Sequence, residues 1–327
     1  MVPILLITFN RPTHTHRVLE TIIKAQPCDL FVFQDGAREN NNDDLVLCNE
    51  VRRVVEEITN GLPIKVHTLY SENNLGCGKG PMVAINWFFN QVEEGIIMED
   101  DCLPHPDFFG YCSELLERYR HFEKIQFINS TLYDECWKCD ASYDFSHYMV
   151  TGAWAGWRRT WRGFDLDLND LDAKAIRKHV QQLTDNRGEA NWWYSIVKEI
   201  QQDNRKKTYW DYQMQIHLFK ESALTIHPRV NLISNIGFDG AGTHTLTNDD
   251  LRGNREVYPI LPLSHPMSQV VNLKRDEYCW AKSHSQGWVK DMVYYLYQSL
   301  LWSNGLGHKL LMTYKKIRGK GINSRKV

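Results

Sequence analysis

The sequence predicts an α/β protein, with a mixed, mostly parallel sheet, helices on both faces and a helical C-terminal extension. Two patterns predict it. Short apolar runs alternate with amphipathic stretches through residues 1–130, as strand–helix–strand units require. Helical periods then return at 287–302 and 308–320, beyond a proline-bearing stretch.

Each element follows from its own residues. "PILLIT" (3–8) is a short apolar run, a strand. "THTHRVLETIIKA" (13–25) sets Val18, Ile22 and Ile23 on one face, a helix. "DLFVFQD" (29–35) is the second strand, and "DDLVLCNEVRRVVEEI" (43–58) a helix of near-3.6 period. "IKVHTLY" (64–70) alternates as a strand does. "GPMVAINWFFNQV" (80–92) is a helix, "GIIM" (95–98) a strand, "HPDFFGYCSELLERYRHF" (105–122) a helix and "IQFINS" (125–130) a strand. The second half is less regular. It holds "VTGAWAGWRRTWRGF" (150–164), a helical region through 191–203, "TYWDYQMQIHLFK" (208–220) and a strand at 223–228. A glycine-rich loop follows at 235–245. Residues 246–285, with Pro259, Pro262 and Pro266, read as an extended linker.

Right-handed crossovers align the ends of parallel strands along one edge, where open α/β sheets bind ligands. Thr8, Asp35 and the run Glu99-Asp100-Asp101 all fall at strand ends. Three segments far apart in sequence therefore deliver polar groups to one edge.

Composition narrows the classes. The 327 residues suffice for one large domain or two small ones. A net charge of −2 argues against a general nucleic-acid binder. The charge is uneven: after Asp291 there are seven Lys/Arg and no acid, leaving about −9 on the rest. A basic tail on an acidic body suits an anionic partner, and the two C-terminal helices could lie on a membrane or pack on the domain. No cationic leader and no apolar stretch of 18 residues is present, so the reading is a cytoplasmic protein, peripheral at most on the inner membrane face. The eight scattered cysteines read as reduced thiols, and "CWKC" (136–139) lacks the second pair a zinc site needs.

The acidic run raises a physical question. Adjacent carboxylates repel, and each raises the pKa of the others. One of them could cap the helix that follows. A divalent cation would also remove the cost. Hard oxygen ligands suit Mn²⁺ or Mg²⁺, which take their remaining ligands from water or a diphosphate.

"EDD" followed by a proline and "PDFF" (99–109) resembles a segment of the GT-A glycosyltransferases, a Rossmann-like fold. The likeness is greatest to the branch holding N-acetylglucosaminyltransferase I. "ITFNRP" (7–12), "FQDGA" (33–37), "NNLGCGKG" (73–80), "YWDYQMQ" (209–215) and "HPRVNLISNIGFDGAGTHT" (227–245) resemble further segments in the same order. The resemblance covers roughly residues 3–245. It lacks that branch's Golgi anchor, which suggests a soluble bacterial relative.

The resemblance implies a metal-dependent inverting transferase. Its donor would be a nucleotide-diphosphate sugar such as UDP-GlcNAc, and its acceptor a glycan or lipid-linked saccharide, as in surface polysaccharide synthesis. Residues 1–130 would form the nucleotide-sugar half and 131–250 the acceptor and catalytic half of one domain. Residues 251–327 would be linker and basic helical extension. Asp101 would ligate Mn²⁺ or Mg²⁺, Asp100 would face the ribose and Glu99 the sugar. Arg11 and Asp35 would frame base and ribose. Thr8 lies in the same nucleotide loop, and Lys79 is suited to a phosphate or base. His244 would meet metal or diphosphate. Asp211 would take the acceptor proton; the neighbouring acid of the family's motif is Tyr212 here. Trp154 and Trp157 are suited to stacking on a sugar or to filling the core.

Two other readings stand beside it. A nucleotidyltransferase on sugar phosphates shares the acidic sheet edge, but it favours a glycine-rich segment after the first strand, and "TFNRPTH" has no glycine. An inactive peripheral membrane or scaffold protein could keep the fold, against which Asp101 and Asp211 argue.

Overall fold

The computed structural model describes residues 2–132, 137–202, 209–238 and 253–283. Eight strands form one sheet. In chain order these are β1 (Ile4–Thr8), β2 (Asp29–Gln34), β3 (Lys65–Tyr70), β4 (Glu94–Glu99), β6 (Ile125–Asn129), β7 (Tyr143–Ser146), β8 (Ala153–Trp157) and β9 (Leu224–Pro228). The spatial order is β3-β2-β1-β4-β8-β6-β9-β7. β1 to β4 pair in parallel, and β6 pairs in parallel with β9. β8 and β7 run against their neighbours. The fold is therefore a mixed α/β sheet, mostly parallel, and residues from 4 to 228 share it.

Alternation along the strands separates two cores. Ile4, Leu6, Leu30, Val32, Ile96 and Met98 face α1 (Pro12–Lys24), α2 (Asn42–Thr59) and α4 (Asp107–Tyr119). Leu5, Phe31, Phe33 and Ile97 face α3 (Gly76–Phe89) and α8 (Asp211–Lys220). Each strand is apolar on both sides because helices cover both, as parallel sheets demand. A third cluster packs α6 (Ala173–Thr184) and α7 (Arg187–Gln202) on α8. The short α5 (Arg158–Trp161) follows β8 directly.

Three local readings change. The helix expected at 80–92 is α3, which starts at Gly76 because the Asp35 carboxylate accepts the Leu75 and Gly76 N–H groups at 2.8 and 2.9 Å. Pro81 is carried inside it. The chain after the acidic run first forms β5 (Cys102–Pro104), which pairs antiparallel with β10 (Ile233–Asn235). Three residues are too few to show a period of two. The linker expected over 246–285 contains a helix, α9 (Leu273–Ser283). Its two most deeply buried residues are charged, with Cys279 beside them. Buried Arg275 donates to Asp144 at 2.8 Å, and Asp276 accepts from Ser146 at 2.5 Å and from the His147 backbone N–H at 2.9 Å. An apolar-period reading misses a helix that docks through ion pairs.

Trp154 and Trp157 are both core residues. Trp154 stacks on Phe127, with ring centroids 4.3 Å apart. Neither presents a face to a sugar. The described cysteines are free thiols; Cys136 lies outside the described residues. No helix of the described residues is long and apolar enough to cross a membrane. The helices expected at 287–302 and 308–320 lie outside them.

Candidate active site

The site lies at the ends of β1, β2 and β4. β4 finishes at Glu99, and the chain turns through Asp100 and Asp101 into β5. Asp101 forms an ion pair with Arg11, Nη1 to Oδ2 at 3.0 Å. Asp100 accepts from the Phe9 backbone N–H at 3.3 Å. Two of the three acids are thus tied to the loop after β1. Glu99 meets β8 through its backbone, donating to the Gly152 carbonyl at 2.8 Å.

The β5–β10 ribbon closes the far side of Asp101. Asn235 sits opposite Cys102 in that pairing, and its side-chain N–H₂ is 3.5 Å from Asp101 Oδ1. The Ile236 N–H donates to the Asp101 carbonyl at 2.8 Å. Gly237 then passes so close that a Cβ there would stand 2.3 Å from Asp101 Oδ2 and 3.0 Å from Arg11 Nη1. Only glycine permits that approach.

Charge is concentrated here. Burial, then repulsion from Asp101, Asp100 and Asp211, raises Glu99 to about 8. Burial, then Asp101, raises Asp100 to about 7. Asp211 begins α8 and accepts the Tyr212 N–H at 2.9 Å. Its charge bears on Glu99 and on Cys77 in the first turn of α3. Asp211 is therefore near enough for its charge to act on Glu99 and Cys77, although α8 begins more than a hundred residues after β4.

Other expected residues stand elsewhere. Thr8 is buried, and its hydroxyl donates to the Phe33 carbonyl at 2.9 Å. It joins β1 to β2. Asp35 is buried too. Its oxygens accept from Gly36, Leu75 and Gly76 N–H groups and from the Asn74 amide at 2.8–3.2 Å. A carboxylate has about four acceptor positions. All are used on the turn into α3. Lys79 is exposed on the first turn of α3. His244 lies outside the described residues.

The sequence concealed Asn235, Gly237, Asn10 and Asp44. Asp44 accepts both arms of the Arg38 fork at 2.5 and 2.8 Å and the Asn10 amide at 2.8 Å, so it joins the loops after β1 and β2 beside Arg11. Its sequence signal was only that of an acid in a first helical turn.

Among the described residues no group of three or more His, Cys, Asp or Glu is arranged to hold a metal. A hard cation that keeps its waters needs fewer protein ligands. Asp101 Oδ1, whose nearest donors stand at 3.5 Å, offers one carboxylate oxygen for it. One such oxygen is a hard ligand of the kind Mg²⁺ and Mn²⁺ take.

No protein-family model matches the chain, and no curated protein does. Solved structures do. An apo UDP-glucose pyrophosphorylase aligns at 9% identity and TM-score 0.36, over 72% of this chain and 93% of its own. HddC from Yersinia pseudotuberculosis aligns at 11% and 0.32, over 49% and 78%. The 4-diphosphocytidyl-2C-methyl-D-erythritol synthase from Anaerococcus prevotii aligns at 8% and 0.30, over 59% and 84%. At these TM-scores the likeness carries no argument about activity.

Proposed function

We propose that the protein is an enzyme of nucleotide-sugar chemistry and, more finely, a metal-dependent inverting glycosyltransferase of the GT-A kind. One observation carries the finer reading. The charge of Asp211 bears on Glu99 at the end of β4, while Arg11 is paired with the Asp101 side chain. In this reading Arg11 and Asp101 mark the leaving-group side and Asp211 the proton-accepting side.

A Mn²⁺ or Mg²⁺ ion held by Asp101 would supply charge neutralisation for the departing diphosphate. Arg11 would add a fixed positive charge beside it. Asp100 would accept from ribose hydroxyls and Glu99 from the sugar. As the acceptor oxygen bonds to the anomeric carbon, Asp211 would take its proton, and the carbon–oxygen bond to the diphosphate would break with its electron pair on that oxygen. A glycan or lipid-linked saccharide is the acceptor class, and the basic C-terminus would hold it near an anionic membrane.

Nucleotidyl transfer to a sugar phosphate is the second reading. By their names, the aligned structures lie nearer to it than to glycosyl transfer. It uses the same nucleotide edge but breaks a bond at the α-phosphorus. The test is the purified chain with a panel of nucleotide sugars and, separately, with UTP plus sugar 1-phosphates, each with and without Mn²⁺. Metal-dependent release of UDP from a sugar donor supports the first reading. Pyrophosphate released only from UTP replaces it with the second, and no turnover in either arm removes both.

A further inference from the structure

A separate cavity of about 320 Å³ opens beyond the Gly36 turn. It lies between α2 and the end of β3, lined by Ala37, Leu45, Asn49, Arg52, Tyr70 and Glu72 among others. Ligand pockets begin at about 300 Å³, so the space suits a small organic molecule.

Arg52 is the group held ready in it. Its Nε donates to the Gln34 side-chain oxygen at 2.7 Å, and its guanidinium lies 4.8 Å from the Tyr70 ring centre. Gln34 is itself completely buried, and its amide donates to the Phe9 and Cys48 carbonyls at 3.1 and 2.8 Å. The Arg52 fork is thus fixed at one nitrogen and supported on one face. Among the described residues its two terminal nitrogens make no hydrogen bond. A fixed guanidinium with two open N–H groups matches a planar carboxylate, and immobilisation in advance lowers the entropy lost on binding.

We propose that this cavity binds a small organic carboxylate, with Arg52 holding the anion and Tyr70 and Leu45 covering an apolar body. Leu45 lines the cavity and is 54% exposed, so its side chain is accessible to an apolar ligand body. Glu72 lines the same pocket and Glu56 lies near Tyr70. Their charge disfavours a polyanion and leaves a monocarboxylate as the fitting class. The site is separate from the acidic run and does not depend on the proposed transferase activity.

The probe is benzoate, titrated into the full-length protein by calorimetry without nucleotide or metal. Saturable binding is expected. Arg52→Met should weaken it about tenfold or more, because a bidentate charge-assisted pair is lost. Asn49→Trp, at an exposed position on α2, should block the cavity while leaving Gln34 and its partners intact. Arg11→Met should leave benzoate binding unchanged. The proposal is overturned if wild type shows no saturable binding. It is also overturned if Asn49→Trp binds as wild type does, or if Arg11→Met abolishes binding, which would move the anion to the strand-end site. If Arg52→Met does not fold, the Asn49→Trp comparison still decides.

Discussion

Arg11 and Asp101 are ninety residues apart in sequence and 3.0 Å apart in space. Their ion pair joins the loop after β1 to the end of β4. Arg11 is the cation that bears on both Glu99 and Asp100, lowering the pKa that burial and repulsion raise.

Removing that cation should be felt in binding before stability. The pair is partly solvated, with 19% and 15% of the two side chains exposed. Its contribution to folding is therefore about 1 kcal/mol or less, close to that of surface pairs. In the proposed site, a diphosphate that loses the Arg11 guanidinium would lose more. Arg11→Met is expected to lower UDP affinity about tenfold or more, with a melting temperature near wild type. Calorimetry and a thermal melt measured together check both parts.

Gly237 gives a sharper geometric prediction. A methyl group there would stand 2.3 Å from Asp101 Oδ2, so either the Asp101 side chain leaves its pairing with Arg11 or the ribbon shifts; we expect the first. Gly237→Ala should keep the circular dichroism of wild type and lose most transfer activity. A variant with wild-type turnover would show that the ribbon yields and that the close approach has no catalytic weight.

Asp211→Asn should lower kcat by about 10²- to 10⁴-fold, the usual contribution of general-base catalysis. KM for the donor should move little. A parallel loss in donor binding would make Asp211 a donor contact instead.

Far from the site, Glu189 makes stability depend on pH. It is buried against Tyr148, whose hydroxyl donates to it. Burial, reinforced by the Asp276 charge, raises its carboxyl to about 8 from an ordinary 4.5. Between those values the folded chain holds a proton that the unfolded chain has released. The stabilisation is complete below about 4.5 and is lost as pH rises toward 8. Urea denaturation of Glu189→Gln across that range should show a flatter decline than wild type. Parallel curves would contradict the raised value.

Much of this was legible in the sequence, and the unread parts share a cause. The first four strands and their helices declare themselves because β1, β2 and β4 are apolar runs, β3 alternates, and each helix carries an apolar stripe. Trp154 sits in the core as an aromatic residue in a buried strand should. α9 was unreadable because it docks through Arg275 and Asp276, and buried ion pairs resemble a solvated face in sequence. The acidic run stood out through its electrostatic cost. Arg11 was named through the resemblance, but for base and ribose; Asn235 and Gly237 went unread as neighbours of that run, because a three-residue strand brings them there. Asp35 shows what sequence leaves open: an acid at a strand end can serve a ligand or a turn, and in the structure the turn occupies its oxygens.

The most direct test of the central claim is equilibrium binding of UDP, with Mn²⁺ and with a chelator, to wild type and to Asp101→Asn. The account predicts that wild type binds UDP more tightly with Mn²⁺, and that Asp101→Asn folds normally but loses the gain from metal. UDP binding that is absent from wild type, or identical in both proteins with and without Mn²⁺, would contradict it.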